Sequence, residues 1–223
     1  MTETTITVRG RARAEHAPDR AVIAFSIGAV APDRAAALVS ARETLERLSD
    51  AIESHRRDGR VHDWSADDVH VHADREWVGE GRPPVVRHRA SVAGSITVIG
   101  DSTTATLPEL LDLISGETLA RIDGVDWSLT DDRYADAIAA VRHDAVTDAV
   151  EKATAYARSI GRGALEVVAL ADPGMLGTGG DAPMPRMERA MALMGGAAGD
   201  GAFELRPEPV VVQATVELRA TAR

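Results

Sequence analysis

The sequence predicts an α+β fold, in which a mostly antiparallel sheet carries helices packed on one of its faces. Two patterns in the 223 residues indicate this class. Extended, β-prone segments are bounded by glycine and proline, and short turns join some of them as hairpins. The helical segments between them each carry a single apolar stripe, which favours packing against one face of a sheet.

The first third of the chain predicts two strands and a long helix. Residues 5–13 and 20–30 are β-prone and separated by a short turn, which suggests that they pair as a hairpin. The helix spans about residues 34–57, with Asp33 as its N-cap and Gly59 in the left-handed position that follows it. Its apolar positions recur every three or four residues, at Leu38, Ala41, Leu45, Leu48 and Ile52.

The middle of the chain predicts extended segments around one short helix. Residues 61–77, 86–99 and 120–129 are extended, and the first of these breaks near residues 65–67. The short helix starts near Thr106 and carries Pro108 in its first turn, where a missing N–H costs nothing.

The last third predicts the longest helix, over about residues 133–160, behind a cap formed by Asp131 and Asp132. Asp148 and Lys152, the only lysine, form an i,i+4 pair on its exposed side. Its predicted buried stripe comprises Tyr134, Ile138, Val141, Ala145, Ala149, Ala153, Tyr156 and Ile160.

Two further strands are predicted at residues 164–171 and 209–220. Between them, the Gly/Pro/Met-rich residues at about 173–205 read as a flexible insertion. We expect residues 1–223 to form a single domain around this insertion.

Composition narrows the possible partners and chemistry. The net charge of −10 disfavours nucleic acid as a partner, because phosphate binding requires a basic face. The absence of cysteine excludes disulfides, zinc–thiolate sites and iron–sulfur clusters. No apolar run approaches the ~20 residues of a membrane span, and no leader pattern opens the chain. We therefore expect a cytoplasmic protein without a membrane span.

Two histidines alternate along the segment VHVHADREW. Alternate side chains of a strand share a face, so His70, His72 and Asp74 point one way, while Val69, Val71 and Ala73 point the other. A His-x-His pair of this kind can chelate Zn²⁺ or Cu²⁺. The competing interpretation, which we prefer, is the solvent face of an ordinary strand, because a structural site normally needs four ligands.

Four methionines in the insertion share the face of a predicted short helix. A helix with this spacing can dock on another subunit or on its own domain, and thioethers can alternatively bind Cu(I). We favour docking, so these side chains are candidates for oligomer or partner contacts: Met184, Met187, Met191 and Met194.

No pattern identifies an active site. The Gly-rich residues 174–180 lack the Gly-Lys-Ser/Thr that completes a phosphate loop. Gly-x-Ser-x-Gly is absent, and Asp131, Asp132 and Asp136 suit the first turn of a helix. We expect no catalytic residues and no cofactor.

The chain resembles the SIMPL-domain family along nearly its whole length. The opening ITVRGRARAEHAPDRAVIAFSIGA is similar to the family's Val-x-Gly strand followed by Ala-Pro-Asp-x-Ala. Residues 88–98, the Ala-rich helix that ends at Gly161 and the closing strand over residues 207–218 also match, in the same order. The resemblance implies an α+β fold and self-assembly, and it supplies no catalytic residues. We therefore expect a non-enzymatic homo-oligomer or partner-binding protein, with metal binding by His70 and His72 or by the Met-rich segment as the alternative.

Overall fold

A computed structural model describes residues 3–77, 79, 83–100, 102–177 and 207–223. It confirms the α+β class, because the strands pair antiparallel and the helices pack on the sheets. The helices are α1 Arg34–Arg57, α2 Ser102–Ser115 and α3 Asp131–Ser159. The strands are β1 Thr4–His16, β2 Arg20–Ala31, β3 Asp63–Ala66, β4 His70–Glu76, β5 Val85–Ile99, β6 Ala120–Ser128, β7 Leu165–Ala171 and β8 Val210–Ala222.

The described residues fall into two compact units. The first combines residues from 1–16 and 131–223, and the second covers residues from 17–130. The expectation of a single domain stays a prediction, because compact units of this kind can also form within one domain.

The first unit is a three-stranded antiparallel sheet in the order β1-β8-β7, with α3 packed against β1 and β8. The predicted stripe of α3 is partly wrong, since Tyr134, Tyr156 and Ile160 are about half exposed. The helix instead buries small side chains at four-residue intervals, because only these allow its backbone to lie close to the sheet. They are Ala137, Val141, Ala145, Ala149, Ala153 and Ala157.

The second unit is a sheet in the order β3-β5-β2-β6, in which β4 also pairs with β5. Both α1 and α2 contact β2 and β5. The core between helices and sheet is largely aliphatic, and its largest fully buried side chains include Ile23, Phe25, Ile27, Leu48, Ile52, Ile96, Leu107 and Leu110.

The predicted hairpin between the first two strands is wrong. β1 pairs with β8, whereas β2 pairs with β5 and β6, so consecutive strands lie in different sheets. The turn between them is fixed by another contact, because Asp19 accepts hydrogen bonds of 2.7 Å from both the backbone N–H and the hydroxyl of Thr130. A short connection therefore does not report which strands pair.

The ends of α1 and the start of α2 show which sequence signals predict the bounds of a helix correctly. Asp33 accepts a hydrogen bond of 2.9 Å from the N–H of Ala36, and Gly59 adopts a φ of +73°, as predicted for α1. In contrast, α2 begins at Ser102, and Pro108 lies inside it. Thr103 anchors this earlier start, because its N–H and hydroxyl both donate to the carbonyl of Gly100.

Among the helices of the described residues, none combines the length and apolarity that a membrane crossing requires.

Candidate functional site

The two edges of the three-stranded sheet carry the features that the fold itself does not explain. In the described part of the chain, β7 pairs with β8 alone and β1 pairs with β8 alone, so each is an edge strand. Because α3 packs mainly against β1 and β8, it leaves the side of β7 that faces the helix largely uncovered.

Three apolar side chains of β7 are exposed, and two of them lie on this uncovered side. The pairing register sets Val167 opposite Ala220 and Leu170 opposite Leu218, and both of those β8 residues are fully buried beneath α3. Opposed residues of an antiparallel pair share a face, so Val167 and Leu170 lie on the helix side. They are nevertheless 49% and 50% exposed, and Val168 between them is 60% exposed. We call Val167, Val168 and Leu170 the β7 strip.

The strip coincides with an irregularity in the strand. The register shifts between Val167 and Ala169, so Val168 is an extra residue without a partner in β8. Bulges of this kind increase the local twist of edge strands and re-aim side chains. An exposed apolar row on an edge strand is a ready contact surface for another chain.

The opposite face of this sheet is polar and internally bonded. Arg9 donates a hydrogen bond of 2.7 Å to Glu217, and Arg219 donates one of 2.6 Å to the carbonyl of Leu176. The hydrogen bond from Arg9 is the main cause of a lowered pKa for Glu217, and the backbone N–H of Gly174 adds to it. The chain leaving β7 is thereby held against this face.

The edge of β1 differs from that of β7, because side chains of α3 bind its backbone. Asp148 accepts a hydrogen bond of 2.7 Å from the N–H of Arg11, and Lys152 donates one of 3.3 Å to the carbonyl of Arg9. The same two side chains form an ion pair of 2.6 Å with each other. The hydrogen bond from Lys152, supported by that from Arg11, lowers the pKa of Asp148.

Gly10 makes this contact possible. A Cβ at Gly10 would lie 2.0 Å from the carbonyl oxygen of Ala145 and 2.7 Å from the Cβ of Ala149. The absence of a side chain therefore lets α3 lie against the strand, which brings Asp148 and Lys152 to the strand edge. The i,i+4 pair was predictable from spacing, but its contact with β1 was not.

The histidines of the His-x-His segment lie on β4. His70 and His72 are exposed, and His72 Nε2 lies 3.5 Å from Asp74 Oδ2. Asp74 is also 3.4 Å from Arg89 Nε, which competes for the same carboxylate oxygen. The predicted apolar row opposite them is incomplete, because Ala73 is exposed.

The other histidines considered as ligands are placed elsewhere. His88 lies opposite Ala73 in the register, which puts it on the other face from His70 and His72. The N–H of His62 bonds to Thr97, six residues along β5 from the residue opposite His70, or about 20 Å at ~3.3 Å per residue. Within the described ranges, no group of three or more His, Asp or Glu side chains is arranged to hold a metal ion. Met184, Met187, Met191 and Met194 lie outside the described residues.

The carboxylates with shifted pKa values are all engaged in structural bonds. The pKa of Glu53 is lowered chiefly by the hydrogen bond from Trp64, and that of Glu117 by the hydrogen bond from Arg47. General acid–base catalysis at neutral pH requires a carboxyl pKa raised towards 7, which is the opposite direction. These groups are therefore suited to pairing rather than to proton transfer.

The comparison with protein families gives one match. A family model described as "SIMPL: Protein of unknown function (DUF541)" matches residues 6–220. No curated protein matches the chain.

Proposed function

This chain belongs to the SIMPL family of proteins of unknown function, and from that premise we propose that it acts without catalysis, by self-assembly through the β7 strip. The observation that carries the proposal is the row of half-exposed apolar side chains on the free edge of a sheet. The structural engagement of the shifted carboxylates supports a role in binding rather than in catalysis.

A second copy of the chain fits the strip because β7 is complementary to itself. If two copies of β7 pair antiparallel about the midpoint between Val168 and Ala169, each Val167 faces the second copy's Leu170 on the helix side of the sheet. On the other side Glu166 faces Ala171 of the second copy rather than another glutamate. Like charges directly opposed would destabilise such a pair, and this register avoids them. The apolar centre then packs against its own equivalent across a two-fold axis, as isologous interfaces require.

The strip supplies only part of the energy of such an interface. Burying the remaining half of one valine or leucine contributes about 1 kcal/mol, so the three side chains of each copy contribute ~3 kcal/mol and the six of a dimer ~6 kcal/mol. Association costs ~4–15 kcal/mol in lost freedom, so strand hydrogen bonds and further contacts must add to the strip in a stable dimer. The methionines Met184, Met187, Met191 and Met194 are the contacts predicted from sequence, and that role stays a prediction.

Light scattering coupled to size-exclusion chromatography tests the proposal. We expect the protein to form a dimer or a larger oligomer and Val168→Glu to dissociate it, because the carboxylate would be buried without a partner. Val39→Glu is the matched control, since Val39 lies on α1 and is 52% exposed. A monomer at the highest attainable concentration, or equal behaviour of the two variants, would contradict self-assembly through β7.

A second candidate function is the binding of a divalent metal by two imidazoles, because His70 and His72 are exposed at alternate positions of β4 and share one face. Calorimetric titration of tag-free protein with Zn²⁺ tests it. Binding of one equivalent that His70→Ala with His72→Ala abolishes would support the site, and no binding by the intact protein would remove it.

A further inference from the structure

We infer that the Asp148–Lys152 pair takes the place of a neighbouring strand at the edge of β1, and so confines extension of the three-stranded sheet between copies to β7. The first half of this inference stands on the geometry of β1 alone. The second half rests on the proposed function, because it concerns which edge a second copy can use.

The two hydrogen bonds reproduce those of a strand. Along a β-strand, the N–H and C=O of every second residue point to the same side. The carbonyl of Arg9 and the N–H of Arg11 therefore point together, away from β8, and a neighbouring strand would bond to both. Here the Lys152 ammonium is the donor to the carbonyl and the Asp148 carboxylate is the acceptor from the N–H.

The two hydrogen bonds that close the edge of β1 lie where they hinder strand pairing most. β1 runs over Thr4–His16, so Arg9 and Arg11 lie at its middle. A strand approaching this edge would have to break both hydrogen bonds and displace an ion pair of 2.6 Å. The stretches left on either side are only about five residues long, and short edges pair poorly.

The side chains of Lys152 and Asp148 are chemically suited to block the edge of a strand. Lys152 is the only lysine among the 25 lysine and arginine residues. Its compact ammonium can reach a single carbonyl and a single carboxylate oxygen at once, whereas the planar guanidinium of arginine favours bidentate partners. Charged side chains at sheet edges are a known protection against unwanted pairing, and here the charges belong to the covering helix.

The asymmetry between edges determines the symmetry of assembly. If both edges were free, β7 of one copy could pair with β1 of the next, and such head-to-tail contacts build rings or open filaments. With β1 closed, the sheet can extend only from β7 to β7. That contact is isologous, so it ends at a dimer.

Amide hydrogen exchange measured by NMR tests the closure itself. We expect the Arg11 amide to be protected in the native protein, although it lies on an edge strand. The double variant Asp148→Ala with Lys152→Ala is measured together with Val168→Glu, so that no second copy covers the opened edge. There the Arg11 amide should exchange at least about tenfold faster, while the Gly10 amide, which points towards β8, stays protected. Glu151→Ala, a neighbouring exposed site on α3, is the control and should change neither amide. Asp148→Leu alone, which nearly keeps the size of the side chain but removes the acceptor of the Arg11 N–H, serves if the double variant does not fold.

Sedimentation velocity over a range of concentrations tests the consequence. We expect the native protein to stop at a dimer and the double variant to form larger species whose size grows with concentration. Adding Val168→Glu should abolish them.

The possible results distinguish the closure of the β1 edge from the confinement of assembly to β7. An unprotected Arg11 amide in the native protein overturns the closure. A double variant that exchanges faster yet stops at a dimer overturns the confinement to β7. A native monomer with a protected Arg11 amide would contradict the proposed self-assembly, but it would be consistent with the closure of the β1 edge by Asp148 and Lys152.

Discussion

Replacing Gly10 by alanine tests the close approach of α3 to β1. The added Cβ would lie 2.0 Å from the Ala145 carbonyl oxygen, whereas real Cβ contacts are essentially never shorter than 3.0 Å. The helix backbone or the strand must therefore move by at least 1.0 Å, the difference between these distances. Neither backbone can move aside as a flexible side chain would. We therefore expect the free energy of unfolding to fall by about 3 kcal/mol, the upper end of the range for overpacking.

Urea unfolding followed by circular dichroism measures this cost. A loss of about 3 kcal/mol lowers the unfolding midpoint by ~1–2 M, given the usual dependence of the unfolding free energy on urea. Gly28→Ala is the control, because a Cβ at this position in β2 meets no atom within 4 Å. Its unfolding free energy should stay within about 0.5 kcal/mol of the native value. If Gly10→Ala is as stable as Gly28→Ala, α3 does not lie as close to β1 as we describe.

Three further predictions concern the second unit. Asp33→Ala should lower the unfolding free energy by about 1 kcal/mol in thermal or urea denaturation, because it removes the N-cap of α1, whereas Asp50→Ala on the exposed face of that helix should not. Asp19→Ala should cost ~2–3 kcal/mol in the same assay, since it removes a charged acceptor of two hydrogen bonds of 2.7 Å, and a smaller loss than that of Asp33→Ala would count against the anchor. Glu53 accepts a hydrogen bond from the indole of Trp64, which lowers its pKa, so the native protein should be more stable than Glu53→Gln at neutral pH. That advantage should disappear as the pH falls through the lowered pKa of Glu53, and an advantage that persists well below that pH would contradict it.

The features predictable from sequence are those with local causes. The bounds of α1 follow from Asp33, which caps its first turn, and from Gly59, which adopts the left-handed conformation after its last turn. Both signals act within a few residues of the helix end. The alternation of apolar residues predicted the strands for the same reason, since it reflects the pleat of each strand alone.

Strand pairing and helix orientation depend on distant residues, and there the sequence is not sufficient. The ion pair between Arg9 and Glu217, which joins β1 to β8, spans 208 residues. Nothing local distinguishes that pairing from a hairpin with β2. On α3, an apolar stripe through Tyr134 and Tyr156 and a stripe of alanines fit the helical period about equally well. The two stripes share their central residues, and only the packing of the helix ends against the sheet decides that Ala137 and Ala157 are buried while Tyr134 and Tyr156 are exposed.

The candidate site arises because one helix is too narrow to cover a sheet of three strands. A helix is ~10 Å wide and strands are spaced ~4.8 Å apart, so one helix covers about two strands. Among the residues that the structure describes, two helices contact the sheet of the second unit, whereas α3 alone lies over β1 and β8 in the first. The third strand, β7, must therefore leave its helix-facing side chains partly in solvent unless something else covers them. Since α3 also closes the edge of β1 through Asp148 and Lys152, the same helix both leaves β7 open and, in the assembly that we propose, directs a second copy towards it.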